Sequence, residues 1–262
     1  VDISGQPLPN DGDLTLRDAI AYVNGTATPW AQDMLRIDET EDTLGTNDKI
    51  VFHPEVFGTG LNQDGQPKTD TIYLEHGVLD VWRSVVIDGA GFVDVLVDNV
   101  PTPTAGPGWQ NLKIDGSLQA GTSAIGDGQG IFYLRQGQNA PAPSITLREP
   151  TITGGDRFSG GGVLVSADAD TQISLTNLWV IDNTAKEHGG GVSLSAGNGS
   201  SISITNVIVE NNQLSDTPLI ASFGAGIALS DSPGSTVILD RVVSRYNTAP
   251  YLQAFGGGRV AC

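Results

Sequence analysis

Four glycine-rich triplets divide the second half of the chain: Gly160-Gly161-Gly162, Gly189-Gly190-Gly191, Gly224-Ala225-Gly226 and Gly256-Gly257-Gly258. Their starts lie 29, 35 and 32 residues apart. After the last glycine of the first three, an asparagine follows at a constant 21 residues, at Asn183, Asn212 and Asn247. Only the stretch from that asparagine to the next triplet varies, at 6, 12 and 9 residues. A fixed part joined to a variable part marks a solenoid whose insertions are confined to one loop.

Within the fixed part the apolar residues alternate, as in a strand with one buried face. Val163, Val192 and Ile227 share a column, as do Val165, Leu194 and Leu229. Ile173, Ile202 and Val237 form a third column, and Leu175, Ile204 and Leu239 a fourth. A further strand is expected around Trp179, Ile208 and Val243. Three short strands and three turns in about 30 residues predict an all-β parallel β-helix, each coil stacked on the next at about 4.8 Å. In such a coil Asn183, Asn212 and Asn247 form a ladder, since asparagine tolerates left-handed turns and stacked amides can bond from coil to coil. Gly162, Gly191, Gly226 and Gly258 suit the turn into the first strand, where positive φ and close backbone approach are needed. A phosphate cradle would instead open a helix, and no helix signal follows these runs.

The first half carries the same grammar with less regularity. Short strands are expected at 50–52, 72–74, 85–87, 93–97, 112–114, 131–134 and 145–147, with 62–68 and 101–108 as surface loops. Ahead of them, Thr15 and Asp18 form a capping-box pair, Leu16, Ile20 and Val23 fall on one face, and Asn24-Gly25 supplies a stop. A short amphipathic helix here is expected to cap an open end of the solenoid, whose bare strand edges would otherwise polymerise. The whole of 1–262 is read as one domain, with a cap region at 1–45, irregular coils at 46–155 and regular coils at 156–262. The start at Val1 and the coil begun at Gly256 suggest a piece of a longer protein.

The segment Leu14-Thr15-Leu16-Arg17-Asp18-Ala19-Ile20, followed by Asn24, resembles the CSLREA-type opening of many secreted bacterial right-handed β-helix proteins. Asp48-Lys49-Ile50-Val51-Phe52 and Val86-Ile87-Asp88-Gly89-Ala90-Gly91 fit the same pattern. The glycine and asparagine repeats are similar to those of polymorphic outer-membrane-protein and autotransporter passenger families, within the pectate-lyase-like superfold. Asp18 stands where those openings carry glutamate, and no Cys-Ser precedes Leu16. The resemblance implies right-handed coiling and a bacterial secreted or cell-surface location. For activity it implies either a surface module or an enzyme using Ca2+-binding acids and a base, or paired carboxylates, on a polysaccharide.

Charge excludes one class outright: 30 Asp and Glu against 13 Lys and Arg give −17, the opposite of a basic nucleic-acid surface. No apolar run reaches the roughly 18 residues of a membrane helix. The one cysteine, Cys262, is the last residue, a usage compatible with a bacterial exterior. Asp156 and Glu187, each just ahead of a glycine run and flanked by Arg157 and His188, are the best candidate catalytic cluster. Chance grouping on acidic surface loops is the simpler account of it. Asp11, Asp13, Asp38, Glu39, Glu41 and Asp42 are candidate Ca2+ ligands, although they lack the ordered spacing of known calcium loops. His53 and His76 have no partner at zinc-ligand spacing. Trp82, Trp109 and Trp179 can stack on sugars where exposed. Arg241 and Arg245 are read as pairing with acids of the coil below, such as Glu210.

Together these features predict about six to eight coils and favour a non-catalytic structural or adhesin-like module for display, adhesion or assembly. Its expected partners are a cell-surface or extracellular polysaccharide or protein, or further copies of itself end to end. No cofactor is called for, beyond Ca2+ at the acidic segments. The alternative is a polysaccharide lyase or glycoside hydrolase.

Overall fold

The fold was obtained as a computed structural model, in which residues 15–26, 48–52, 70–74, 77–89, 94–97, 100–103, 112–118, 128–138, 140–215 and 224–249 are described. The Ca2+ candidates Asp11, Asp13, Asp38, Glu39, Glu41 and Asp42 lie outside them, as do Gly258, His53, His76, Trp109 and Cys262. The described chain is mostly strand, with one short helix. Its strands pair in parallel except for one antiparallel hairpin, in which Asp94–Val97 falls on the strand expected at 93–97 and its partner Val100–Pro103 runs into the segment 101–108 expected to be loop.

Each pass of the chain visits three faces in the same order. The first face stacks Leu79–Val81, Phe132–Arg135, Val163–Ala167, Val192–Ala196 and Ile227–Asp231. The second stacks Asp48–Val51, Val85–Asp88, Ser144–Arg148 and Gln172–Thr176, then the leading halves of Ser201–Glu210 and Thr236–Arg245. Asp70–Tyr73, Leu112–Asp115, Thr151–Thr153 and Trp179–Ile181 make the third face, completed by the trailing halves of those two long strands. A narrow fourth ladder, Asp156–Ser159 with Thr184–His188 and Gln213–Leu214, was not foreseen from the sequence. These stacked parallel sheets are compatible with the solenoid expected from the repeat.

Register follows the apolar columns. Val163 pairs with Val192 and Val192 with Ile227, while Ile145, Ile173, Ile202 and Val237 align on the second face. The inward members, such as Phe132, Val165, Leu175 and Ile204, are fully buried in one continuous core. Each such side chain contributes about 1.5–3 kcal/mol by leaving water.

The corners differ from expectation in one respect. Left-handed φ falls not on Asn183, Asn212 and Asn247 but on the residue before each: Asp182 (54°), Asn211 (53°) and Tyr246 (55°). The ladder asparagines thereby turn their side chains inward, where Asn183 and Asn212 are completely buried. Asn212 Oδ1 accepts from both the backbone N–H and the amide of Asn183, each at 3.0 Å, and Asn247 Oδ1 accepts from Asn212 in the same way at 2.9 and 3.0 Å. Asn183 Oδ1 accepts in turn from Gly155 N–H at 2.9 Å. The constant interval of 21 residues has a spatial cause. A Cβ on Gly191 would lie 2.8 Å from Asn212 Nδ2, and one on Gly162 would lie 3.0 Å from Asn183 Nδ2. Each asparagine closes a pass by packing over the glycine where that pass began. A second column, Glu149, Asn177, Asn206 and Arg241, holds left-handed φ at the corner between the second and third faces. There Asn206 donates to Asn177 at 2.8 Å and Asn177 to Glu149 at 2.7 Å.

At the opposite end the helix Leu16–Val23 buries Leu16, Ala19, Ile20 and Val23. Thr15 and Asp18 close the capping box in both directions. Beyond the helix, Asn24 imitates a strand: its Nδ2 donates to Asp80 O at 2.8 Å and its Oδ1 accepts from Trp82 N–H at 3.2 Å. Arg17 donates to Val78 O and Gly77 O at 2.9 and 2.7 Å. The free edge of Leu79–Val81 is thus occupied by side chains rather than left as a template for pairing. Asn24→Ala is expected to cost about 1–3 kcal/mol in urea denaturation, because it leaves Asp80 O and Trp82 N–H without these partners.

On the third face, burial pushes the Asp115 carboxyl up, but the Lys113 ammonium at 2.8 Å and the Ser117 hydroxyl and N–H outweigh it, so the net shift is downward. A depressed folded pKa contributes stability above the unfolded value that is lost as pH falls through the folded one. Asp115→Asn is therefore expected to flatten the acid limb of the stability profile below about pH 4, read as the pH dependence of the urea midpoint.

Candidate functional site

The cluster expected from the sequence is only partly assembled. Asp156 aligns with Thr184, whose hydroxyl donates to Asp156 Oδ1 at 2.9 Å. Glu187 lies three residues further along the neighbouring strand, about 10 Å from that column at the usual strand rise. It is 5% exposed, with Oε1 buried and without a hydrogen-bond partner, and its Oε2 stands 3.8 Å from His188 Nε2. The structure therefore groups Glu187 with His188, and Asp156 with Thr184. Arg157 joins neither pair. Its guanidinium lies over the Tyr133 ring, 5.0 Å from the centroid, and burial lowers its pKa from the ordinary value.

Tyr133 leads to a different site. On the outer side of the first face, Asp80 and Tyr133 are register partners, so Trp82 and Arg135 fall on the next outward positions of the same two passes. Arg135 makes a two-pronged bond to Asp80, Nε to Oδ1 at 2.9 Å and Nη2 to Oδ2 at 2.8 Å. Those bonds raise the guanidinium pKa above its ordinary value, against the effect of burial. Held in this way, Arg135 lies 5.2 Å from the centroids of both Trp82 and Tyr133. Trp82, Arg135, Tyr133 and Arg157 form an alternating array of rings and cations.

Beside the array is a depression of about 440 Å³ lined by Tyr133, Arg135, Gln136, Gln138, Ser166 and Asp168, among others. That volume lies within the range of small-ligand sites. Gln136 is fixed by donation from its Nε2 to Ala140 O at 3.1 Å. Gln138 and Asp168 are exposed on turns. Of this site, sequence reasoning had singled out Trp82 as a sugar-stacking candidate and Arg157 as a neighbour of Asp156. Arg135 and Asp80 are 55 residues apart, in passes whose spacing is irregular, so no repeat signal could join them.

Elsewhere, Arg245 Nε donates to Glu210 Oε2 at 2.5 Å, while Arg241 meets Asp240 at 3.3 Å on the surface. Among the described residues no three His, Cys, Asp or Glu side chains are placed to hold a metal ion, and no helix is long and apolar enough to cross a membrane. No protein family, curated protein or solved structure matches the chain.

Proposed function

We propose that the chain is a right-handed parallel β-helix acting as a non-catalytic, extracellular, adhesin-like module on or outside a bacterial cell. The observation that carries this reading is the chemistry of the depression on the first face. Its neighbouring carboxylate, Asp80, is committed to Arg135, which leaves Asp168 as the carboxylate on offer within the lining. Glycoside hydrolysis needs two carboxylates about 5–10 Å apart in cooperating roles, whereas one carboxylate among amides and hydroxyls suits recognition. The stacked faces supply a stiff support, and a charge of −17 keeps it soluble and attracts cations such as Ca2+ to the acidic segments.

The test is to incubate the protein with neutral and acidic polysaccharides, with and without Ca2+, and to follow polymer length by size-exclusion chromatography. Unchanged length with retention of protein on one polymer is the expected result. Shortening of any polymer would overturn the reading and make Asp156, Glu187 and His188 the first residues to replace.

A further inference from the structure

We infer that the depression beside Arg135 is the anchoring subsite for a neutral, linear polysaccharide that runs along the outside of the first face. This rests on the reading of the chain as a binding module and names the ligand class. Charge selects first. The Arg135 guanidinium is already neutralised by Asp80 at 2.8 and 2.9 Å, so an anionic ligand finds no uncommitted cation in the lining and meets the Asp168 carboxylate. A cationic ligand finds one exposed carboxylate in the lining, Asp168, and an ion pair at so exposed a group adds little. What remains favourable is a neutral molecule rich in groups that both donate and accept, matching Gln136, Gln138, Ser166 and Asp168.

The direction follows from register. Arg135 pairs with Ser166, Ser166 with Ser195 and Ser195 with Ser230, so a row of hydroxyls leads out of the depression from pass to pass. Ser195 and Ser230 are exposed. Adjacent passes lie about 4.8 Å apart, close to the length of one pyranose in an extended chain. Each successive sugar therefore meets the same hydroxyl position on the next pass. Rigidity adds to this: the array of Trp82, Arg135, Tyr133 and Arg157 holds the wall of the depression in place before any ligand arrives, which lowers the ordering cost of binding.

The experiment is isothermal titration of the intact chain with cello-, xylo- and manno-oligosaccharides of three and six units, and with oligogalacturonates of the same lengths. One neutral series is expected to bind, its hexamer more tightly than its trimer. Asp168→Ala and Gln138→Ala, both on exposed turns, are each expected to weaken binding about tenfold without shifting the melting temperature. Ser195→Glu is expected to bring the hexamer down to the trimer's affinity. Preference for the galacturonates, binding by no neutral series, or variants that bind like the parent chain would each overturn the assignment. Shortening of the hexamer would overturn the non-catalytic reading alone, leaving the mapped subsite in place.

Discussion

Asn212→Leu is expected to lower the stability of the chain by about 3–5 kcal/mol, far more than an isosteric change at a surface asparagine would. The Asn212 side chain is completely buried and works in both directions. Its Nδ2 lies 3.0 Å from Val180 O and 3.0 Å from Glu210 O, and its Oδ1 accepts the Asn183 N–H. Leucine fits the space roughly but leaves two carbonyls and an N–H buried without these partners, and each such group costs about 1–3 kcal/mol. The exposed bond from Asn206 to Asn177 provides the control. Asn206→Leu gives up one solvent-facing bond and accepts a strained φ of 55°, for an expected loss of about 1–2 kcal/mol. Urea titrations of the two variants check the difference. Equal losses would mean that corner conformation, rather than the buried ladder, holds successive passes together.

Gly190→Ala is expected to be more damaging still, with a loss above about 4 kcal/mol or failure to accumulate as folded protein. A methyl group at this position would stand 2.5 Å from Ala225 O and 2.6 Å from Gln213 O. Both contacts are backbone atoms, so no side chain can swing aside. Nor can the backbone yield cheaply. Gly191 N–H donates to Ala225 O at 3.2 Å and Gln213 N–H to Asn183 O at 2.8 Å, so moving either obstacle disturbs the bonds between passes. Ser195→Ala, on an exposed outward position, should stay within about 0.5 kcal/mol of the parent chain. Soluble yield and the urea midpoint distinguish the two.

What was legible in the sequence, and what was not, divides along one physical line. Columns formed by residues at a constant interval after a glycine triplet, such as Ile173, Ile202 and Val237, could be read because stacking repeats the same environment in each pass. The left-handed corner was harder to place. The glycine and asparagine signals drew attention to Asn183 and Asn212, whereas the strained residue is the one before, and in the last described pass it is Tyr246, which carries no turn signal. The fourth ladder escaped because the buried positions of Thr184–His188 are Ala185 and Glu187 rather than large apolar residues. The array around Arg135 was beyond reach for a different reason. Its strand members come from passes offset by 53 residues, against 29 to 35 between the glycine triplets, and an Asp to Arg pairing follows no period.

The hydrogen bonds on every face run from one pass to the next, and that direction has a mechanical consequence. A pull applied along the stack loads these bonds pass by pass, as in peeling, rather than all together, as in shearing. Extension under force should then proceed in steps, each freeing one repeat and about 100 Å of contour length, with the remaining passes still intact as a template for rewinding. A support of this kind yields gradually under load and recovers from its remaining end, as the proposed adhesive role would require.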